Sequence, residues 1–395
     1  MILAHQIRLQ PNDKQATMLS KSCGVARYAY NWALNRWINA YQQGEKITER
    51  DLRKELNAVK RDQFPWMLEV TKYAPQQAIM DLGVAFTNYF RKREQNGYVP
   101  YSEKQKQRAL ENDRNLTLYE SNGHPKYHKK GVNDSFYIGN DQFYVKGKQI
   151  HIPRIGKVRM REAIRFTGKL VAATVKRVAD KWYVSIQIEW PQAETKARGE
   201  NQARVTGVDL GINNLATLVD GSKTPGQKPH KALLNRQRRL NKELARRRQE
   251  GKTQSKNYYK TKNKLARLHA RIANIRKDET HKLTTSLVSN YDAIGIESLN
   301  ISGMVKNHRL ARSILDMSFF EFRRQLEYKA GNQGVVVVVA DPFYPSSKIC
   351  SSCGFKLEQL DLSVRQWVCP SCNVQHDRDV NAAINLRNIA LSVLQ

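Results

Sequence analysis

Four of the five cysteines stand in two pairs near the end of the chain, Cys350-x2-Cys353 and Cys369-x2-Cys372. This spacing is typical of the two tight turns that close a tetrahedral thiolate site around Zn²⁺. Two disulfides or four free thiols are the alternatives, and a start without a signal-peptide pattern disfavours disulfides. Four thiolates leave no open coordination position, so the sequence predicts a structural zinc site. Cys23 lies in a helical pattern and is predicted to be a small core residue.

Three acidic residues stand where an ordinary surface carboxylate is not expected. Asp209 lies in an apolar, strand-like run flanked by glycines, where an unpaired charge is expensive to bury. Glu297 ends the apolar run 293–296, and Asp379 begins the last helical pattern. Each has a plain alternative explanation: a turn acceptor for Asp209, a solvated strand end for Glu297 and a helix N-cap for Asp379.

Taken together, two carboxylates on strands and one at a helix start are what a ribonuclease-H-like sheet requires at one of its ends. Three carboxylates gathered there would hold two Mg²⁺ or Mn²⁺ ions about 3.5 to 4 Å apart, which activate water at a phosphodiester. Hard oxygen ligands suit these ions, whereas the four thiolates suit zinc. The sequence therefore predicts a catalytic metal site separate from the structural one.

The charge of the chain identifies its partner class. It carries 67 Lys and Arg against 36 Asp and Glu, a net charge of +31. Such an excess repels itself in a compact protein, so we expect a polyanion, nucleic acid, to neutralise it. A membrane surface is the alternative, but the basic residues are spread along the chain and no apolar run approaches bilayer length. We expect a soluble, cytoplasmic protein, associated with the nucleoid of a prokaryote.

Hydrophobic periodicity predicts the elements that position these residues. The first half reads as a short strand and turn over 1–12, followed by helices from Asp13 to Arg93. Residues 94–135 read as a polar linker or as a loop that orders on a ligand. Antiparallel strands are expected over 136–190, with a hairpin at Ala179-Asp180-Lys181. With the first strand these would make a small β-barrel into which the helices are inserted. Residues Pro191 to Arg204 read as a linker.

The second half alternates strands with helices, which predicts an α/β domain with a mixed sheet. Strands are expected at 205–211, 215–219 and 293–297, and a long charged helical stretch from His230 to Val288. A single helix is expected from Ala311 to Ala330. Val335 to Ala340 is a mostly β-branched run, as in a central strand.

Four motifs together resemble the TnpB (OrfB) family of insertion-sequence nucleases, which is related to type V CRISPR effectors. They are Gly207-Val208-Asp209-Leu210-Gly211, Gly295-Ile296-Glu297, Ser346-Ser347-x2-Cys350-x2-Cys353-Gly354 and His376-Asp377-Arg378-Asp379-x-Asn381-Ala382-Ala383. The resemblance is specific over about residues 204–395 and looser at the start, where Ile7-x-Leu9-x-Pro11 and Tyr28-x2-Asn31 are similar.

The resemblance implies a RuvC-like nuclease domain of ribonuclease-H-like fold with an inserted zinc ribbon, and a wedge-like β-barrel carrying a helical recognition domain. It implies these boundaries: barrel 1–12 and 127–203, recognition domain with linker 13–126, nuclease 204–344 and 377–395, zinc ribbon 345–376. It also implies that Asp209, Glu297 and Asp379 hold the catalytic metal, Asp379 rather than Asp377 being the third acid.

Nucleic-acid contacts are expected in three places. Lys72, Tyr73 and Gln76 resemble the part of the family that reads a short target-adjacent motif, although Pro75 is unexpected inside a helix. Tyr127, Lys129 and Lys130 mix a ring with cations and would stack on or clamp RNA. The helical stretch presents Arg238, Arg239, Arg246 and Arg247, for which a phosphate-tracking surface and an ordinary solvated face are both open.

The predicted function is an RNA-guided endonuclease that pairs a transposon-derived guide RNA with double-stranded target DNA. A compact type V CRISPR effector, a repressor that has lost its acids and an RNA-independent transposase are the alternatives. The presence of all three acids disfavours the repressor. RNA that co-purifies with the protein would distinguish the RNA-guided endonuclease and the CRISPR effector from the RNA-independent transposase.

Overall fold

The computed structural model describes residues 2–95, 97–190, 203–361 and 363–394. The chain divides into two compact units, Met1–Pro191 and Gln192–Gln395. The linker predicted from Pro191 to Arg204 lies outside the described residues up to position 202. None of the helices in the described ranges combines the length and the apolar character needed to cross a membrane.

The first unit contains one seven-stranded antiparallel sheet in the order β2-β6-β7-β1-β5-β4-β3. Its strands are β1 (Ile2–Gln10), β2 (Ser135–Gly139), β3 (Tyr144–Lys146), β4 (Gln149–Ile152), β5 (Gly156–Met160), β6 (Lys169–Val178) and β7 (Lys181–Glu189). The predicted hairpin joins β6 to β7, with Ala179 in the left-handed region at φ 55°. β2 and β3 are the two edge strands of this sheet, so closure of the sheet into a barrel stays a prediction.

The helices of the first unit are inserted between β1 and β2, as predicted. They are α1 (Asp13–Gln42), α2 (Glu49–Val59), α3 (Tyr73–Arg93) and α4 (Glu103–Glu111). Asn12, Thr48 and Ser102 each accept a hydrogen bond from the third helical N–H, and the side chain of that third residue bonds back. These capping boxes satisfy backbone donors that the first turn leaves unpaired, so they determine where the helices begin.

Two expectations for this unit are corrected by the structure. Pro75 is the third residue of α3 and not mid-helix, so the N–H it lacks would have had no helical acceptor. The stretch 94–135 is not only a linker, because it contains α4 and packs Ser121 and His124 into the protein. The Ser121 hydroxyl shares a hydrogen bond of 2.7 Å with Tyr89 of α3, which anchors this stretch. Cys23 is buried in the core, as predicted.

The second unit contains a five-stranded mixed sheet in the order β10-β9-β8-β11-β12, and a separate two-stranded ribbon. Its strands are β8 (Val205–Asp209), β9 (Asn214–Leu218), β10 (Lys223–Pro225), β11 (Ala293–Ile296), β12 (Val336–Val339) and the ribbon strands β13 (Gln366–Val368) and β14 (Gln375–Asp377). β9 is antiparallel to both β8 and β10, whereas β11 is parallel to both β8 and β12.

Six helices are described in this unit. They are α5 (Pro229–Arg247), α6 (Lys256–Asn290), α7 (Ile301–Met304), α8 (Ala311–Met317), α9 (Phe319–Gln333) and α10 (Arg378–Leu394). The single helix predicted from Ala311 to Ala330 is wrong, because Ser318 adopts a left-handed conformation at φ 56° and separates α8 from α9. β12 is an edge strand of the described sheet and not a central one. Its apolar composition reflects the helices α9 and α10 that pack against it.

Helix α10 lies directly on the backbone of two neighbouring strands. A Cβ atom added to Gly207 of β8 would lie 1.9 Å from the carbonyl oxygen of Ala383, and one added to Gly295 of β11 would lie 2.1 Å from that of Leu386. Side chains alternate along a strand, so the neighbouring Val208, Ile294 and Ile296 point to the opposite face and enter the core. The two glycines therefore set the distance between the sheet and α10.

We expect Gly207→Ala to lower the free energy of unfolding of this unit by about 3 kcal/mol or more, because the backbone of α10 would have to move. Gly331→Ala in α9 is the matched control, since an added Cβ there meets nothing within 4 Å. That control should be neutral or stabilising by up to about 1 kcal/mol. Thermal unfolding of both variants makes the comparison; equal melting temperatures would contradict the close approach.

Candidate active site and metal centre

The strand register places two of the three acids side by side. β8 ends at Asp209 and β11 ends at Ile296, with Glu297 next in the chain. Val208 pairs with Ile296 across these parallel strands. Asp209 and Glu297 are the next residues along the two strands, so they lie side by side at the same edge of the sheet. Asp209 and Glu297 also lie two residues beyond Gly207 and Gly295, and this alternation directs both carboxylates toward α10. Asp379 lies in the first turn of α10.

The charges of the three carboxylates act on one another. Asp209 is 9% exposed, and its pKa lies well above its usual range. Burial is the main cause, followed by the charges of Glu297 and Asp379 and by a hydrogen bond with the Glu297 side chain, whereas Arg378 opposes the shift. At Asp209, burial and the two neighbouring carboxylates outweigh the one opposing arginine, and such a cluster of like charges favours a bound cation.

Asp379 and Asp377 have different surroundings. The Oδ1 atom of Asp379 lies 3.4 Å from Nη1 of Arg365 and 3.5 Å from Nε of Arg378. Oδ1 of Asp377 accepts hydrogen bonds from the backbone N–H groups of Asp379 (3.0 Å) and Val380 (3.1 Å), and its Oδ2 pairs with Lys223 at 2.7 Å. Asp377 is therefore the cap of α10. The alternative explanation of Asp379 as the N-cap is wrong, which leaves its carboxylate free of that role.

The three acids and the four cysteines differ in how closely their ligand atoms gather. Within the described residues, the cysteines are the group whose ligand atoms all lie within 4.8 Å of one another. The Sγ atoms of Cys350 and Cys372, and those of Cys353 and Cys369, are 3.6 Å apart. Asp209 and Glu297 share a hydrogen bond, and the charges of Glu297 and Asp379 act on Asp209, but the ligand atoms of the three acids are less tightly gathered than the four sulfurs. Four thiol sulfurs this close fit zinc, and carboxylate oxygens fit Mg²⁺ or Mn²⁺.

The two cysteine pairs have the same backbone geometry. The N–H of Gly354 donates to the carbonyl of Cys350, and the N–H of Asn373 donates to that of Cys369, both at 2.9 Å. Gly354 (φ 79°) and Asn373 (φ 58°) are both left-handed, a conformation that glycine and asparagine adopt most readily. These turns direct both sulfurs of each pair to one point, which explains the spacing seen in the sequence.

His376 is a partner of the cysteine site that sequence reasoning missed. Its Nε2 atom lies 3.0 Å from Sγ of Cys350, and its ring packs against Trp367. Burial alone would raise the pKa of Cys350. Hydrogen bonds from the backbone N–H groups of Cys353 and Ser352 and from His376 outweigh burial and lower this pKa to about 5. The thiolate, which is the form that binds zinc, is thereby favoured. The position of His376 in the last acidic motif was the available signal.

The predicted nucleic-acid residues of the first unit are partly engaged within the protein. Lys72 pairs with Asp141 at 3.0 Å, and Tyr73 packs against Gly139 of β2. Gln76, one turn along α3, is half-buried.

The loop 127–130 is fixed on α1. Its exposed Tyr127 donates to Asn35 at 3.2 Å, and Lys129 and Lys130 are exposed. Asn31 holds the backbone of His128 by two hydrogen bonds of 2.8 and 3.0 Å, which the sequence did not reveal.

The predicted phosphate-tracking arginines lie on α5. Arg238, Arg239 and Arg246 are exposed. Arg247 is half-buried and joins α5 to α6, donating to Thr261 Oγ1 at 2.6 Å and to the carbonyl of Asn257 at 3.0 Å. The buried Asp316 of α8 accepts from the backbone N–H groups of His230 and Lys231 and so caps α5 from outside that helix.

Comparison with known proteins decides the family. The chain is 31% identical over 97% of its length to a "Putative RNA-guided DNA endonuclease" of Streptomyces pristinaespiralis, 88% of which is covered. It is 30% identical over 99% of its length to the "Putative RNA-guided DNA endonuclease InsQ" of Escherichia coli (strain K12), 93% of which is covered. The chain belongs to the TnpB family.

Family models match three parts of the chain. A "Probable transposase" model of OrfB proteins matches residues 185–308, and a "Cas12f1-like, TNB domain" model matches 319–386. A "Helix-turn-helix domain" model matches residues 1–46, where the structure has β1 followed by the single helix α1. CasPhi-2 (Cas12j) bound to crRNA is similar over 99% of this chain and 98% of its own, at 10% identity and a TM-score of 0.47, a likeness too distant to support an argument.

We expect the purified protein to contain about one zinc ion per chain. Cys369→Ser should lose that zinc and lower the melting temperature, because structural zinc contributes on the order of 10 kcal/mol to local folding. Cys23→Ala removes a buried cysteine from the other unit and should keep the zinc. Elemental analysis by mass spectrometry measures both, and full zinc content in the Cys369 variant would contradict the four-cysteine site.

The raised pKa of Asp209 predicts a pH dependence of stability in Mg²⁺-free buffer. The folded state binds this proton more tightly than the unfolded state, so stability falls as pH rises through the interval between the ordinary and the raised pKa. We expect Asp209→Asn to unfold at a higher temperature than the natural protein at neutral pH, with the difference disappearing below the ordinary pKa of aspartate.

Mg²⁺ should reverse the order of the two melting temperatures, because a bound cation offsets the buried charge of Asp209 in the natural protein. Adding Mg²⁺ at neutral pH is expected to raise the melting temperature of the natural protein and to leave that of Asp209→Asn nearly unchanged. Identical melting curves for the two proteins across the whole pH range would contradict a buried, charge-coupled Asp209.

Proposed function

We propose that this TnpB-family chain is an RNA-guided DNA endonuclease and that Asp209, Glu297 and Asp379 form its active site. The observation that carries the proposal is the charge coupling of these three acids across β8, β11 and α10. The two relatives described above, each of which matches nearly the whole chain, carry names that describe RNA-guided DNA endonucleases. Guide RNA and double-stranded target DNA are accordingly the proposed partners, and base pairing supplies the sequence specificity.

The topology of the second unit supports a ribonuclease-H-like (RuvC) domain. Numbered along the chain, its sheet has the order 3-2-1-4-5, with the first three strands antiparallel and the last two parallel to the central strand. Asp209 and Glu297 stand at the ends of strands 1 and 4, and Asp379 stands in the first turn of α10, as that fold requires. We propose residues 204–344 and 377–395 as the nuclease, with the zinc ribbon 345–376 inserted, and the sheet of the first unit as the wedge-like barrel.

The three carboxylates are the proposed ligands of Mg²⁺ or Mn²⁺. When bound, two such ions activate water and stabilise the leaving oxygen of a phosphodiester, which leaves a 5′-phosphate. The protein contributes a half-buried edge of the sheet where the carboxylates are fixed by strand register and by the first turn of α10. Asp377 contributes by capping α10, which holds Asp379 in place, and Lys223 holds Asp377 in turn.

Cationic surfaces of both units are the proposed nucleic-acid contacts. The exposed Lys129 and Lys130 of the first unit and Arg238, Arg239 and Arg246 of the second are available for phosphate. Lys72, Tyr73 and Gln76 are the proposed readers of the target-adjacent motif. Binding through these cations should weaken steeply as salt is raised, because it releases the counterions of the nucleic acid.

Asp209→Ala should reduce cleavage of a matching target to background while leaving guide-RNA and target binding within a fewfold of the natural protein. Asp220→Ala is the matched control, since Asp220 is an exposed carboxylate in the turn between β9 and β10 of the same sheet. Cleavage by complexes with co-expressed transposon-end RNA, with binding measured separately, tests this. Comparable cleavage by Asp209→Ala would overturn the assignment of the acids.

The transposase alternative is favoured by the description of one family model. It predicts strand transfer by RNA-free protein, whereas the proposed function predicts cleavage that depends on a guide matching the target. Sequencing the RNA that co-purifies with the protein distinguishes the two. A specific RNA from the transposon end supports the guided nuclease, and RNA-free strand transfer would refute it.

A further inference from the structure

A single serine connects one of the proposed metal ligands to the cysteine site. The hydroxyl of Ser346 donates a hydrogen bond of 2.7 Å to Oε1 of Glu297. Ser346 is 5% exposed, so water does not compete freely for this bond. A hydrogen bond that water does not compete for is strong enough to select one orientation of a carboxylate.

Ser346 is itself held by two buried asparagines of α10. The side-chain amide of Asn385 donates to the carbonyls of Ser346 (2.8 Å) and Ile349 (2.7 Å), and that of Asn381 donates to Ile349 (2.7 Å). Asn381 and Asn385 are 1% and 3% exposed and stand one helical turn apart. The helix that carries Asp379 therefore also fixes the donor to Glu297.

The cysteine site fixes the other end of the turn that runs from Ser346 to Ile349. Ile349 directly precedes Cys350, the first of the four cysteines, and the N–H of Ser351 donates to Oδ1 of Asn381 at 2.9 Å. The turn 346–349 is thus clamped between α10 and the first cysteine pair. A displacement of either clamp would move the Ser346 hydroxyl away from Glu297.

We propose that Ser346 is a positioning residue that orients Glu297 for catalytic metal binding, and that Asn385 and the zinc-bound cysteine turn hold Ser346 in place. The inference rests on the proposed function only in naming Glu297 as a metal ligand. The hydroxyl restricts the rotation of the Glu297 carboxylate, which favours the orientation that binds metal and so lowers the free energy of the metal-bound state. Loss of an outer-shell partner of this kind typically weakens metal binding by about 10- to 100-fold.

The first test is the metal requirement of Ser346→Ala. The Mg²⁺ concentration for half-maximal cleavage should rise about tenfold, while the rate at saturating Mg²⁺ recovers to within a fewfold of the natural protein. Ser347→Ala is the matched control: Ser347 is the adjacent, half-buried serine and makes none of these contacts. Ser346→Thr retains the hydroxyl and should restore most of the Mg²⁺ affinity. An unchanged Mg²⁺ requirement in Ser346→Ala, or an equal rise in Ser347→Ala, would overturn the proposal.

The second test measures binding without cleavage. Mn²⁺ binding to the zinc-loaded, RNA-free full chain, followed by the paramagnetic resonance of free Mn²⁺, should weaken about tenfold in Ser346→Ala. Asn385→Ala should weaken it in the same direction. In the double variant the two effects should not add, because both act through one hydrogen bond to Glu297. Additive effects would show that Asn385 does not act through Ser346.

The two tests separate this inference from the proposed function. If the natural protein fails to cleave with any guide, the nuclease proposal fails, and the Mn²⁺ measurement still decides the role of Ser346. If the natural protein cleaves and Ser346→Ala has the same dependence on Mg²⁺ and Mn²⁺, the positioning role alone is refuted.

Discussion

The close approach of α10 to β8 and β11 is the constraint on which the second unit depends. Only glycine can stand at positions 207 and 295, because the carbonyls of α10 occupy the space that a Cβ would need. The same approach brings the first turn of α10, with Asp379, to the edge of the sheet where Asp209 and Glu297 emerge. It also places Asn381 and Asn385 against the turn that leads into the cysteines. One packing contact therefore positions the three acids and supports both candidate metal sites.

This arrangement gathers like charges at an energetic cost. Asp209 is buried beside two other carboxylates. Burial and, after it, the charges of Glu297 and Asp379 raise its pKa, and Arg378 offsets only part of that shift. Asp377 differs in having a lysine and two backbone N–H groups as partners, and its pKa is lowered. Asp377 and Asp379, two residues apart, therefore differ in role: Asp377 caps α10, whereas Asp379 is a proposed ligand of a cation. A protein with a net charge of +31 still keeps an acidic centre of this kind.

The two candidate metal sites are chemically distinct yet structurally joined. Four sulfurs close a site with no free position, as structural zinc needs, while the carboxylates offer hard oxygen atoms at an edge of the sheet. The turn 346–349 lies between them and contacts both, through Cys350 on one side and Glu297 on the other. The segment that carries the four cysteines therefore lies where it can support the carboxylates of the sheet.

Local sequence patterns determined a large part of this protein. Cysteine spacing, apolar strand runs, the hairpin at Ala179 and the capped starts of α1, α2 and α4 depend on neighbours a few residues apart. The three acids were found because a carboxylate in an apolar strand is costly unless it has a use. The pairing of β1 with strands that lie far along the chain, between Gly156 and Glu189, followed from a resemblance and a hydrophobic pattern, and the register confirms that pairing.

The tertiary structure decided what such patterns leave open. The break at Ser318, the edge position of β12, the capping role of Asp377 and the engagement of Arg247 by α6 each depend on which distant segment comes into contact. Ser346, Asn385 and His376 gain their roles only from partners 26 to 49 residues away in the chain. Periodicity reports which face of an element is buried, but hydrogen-bond partners are fixed only when packing brings separate elements together. The sequence alone therefore identified the chemical groups, and the fold selected their contacts.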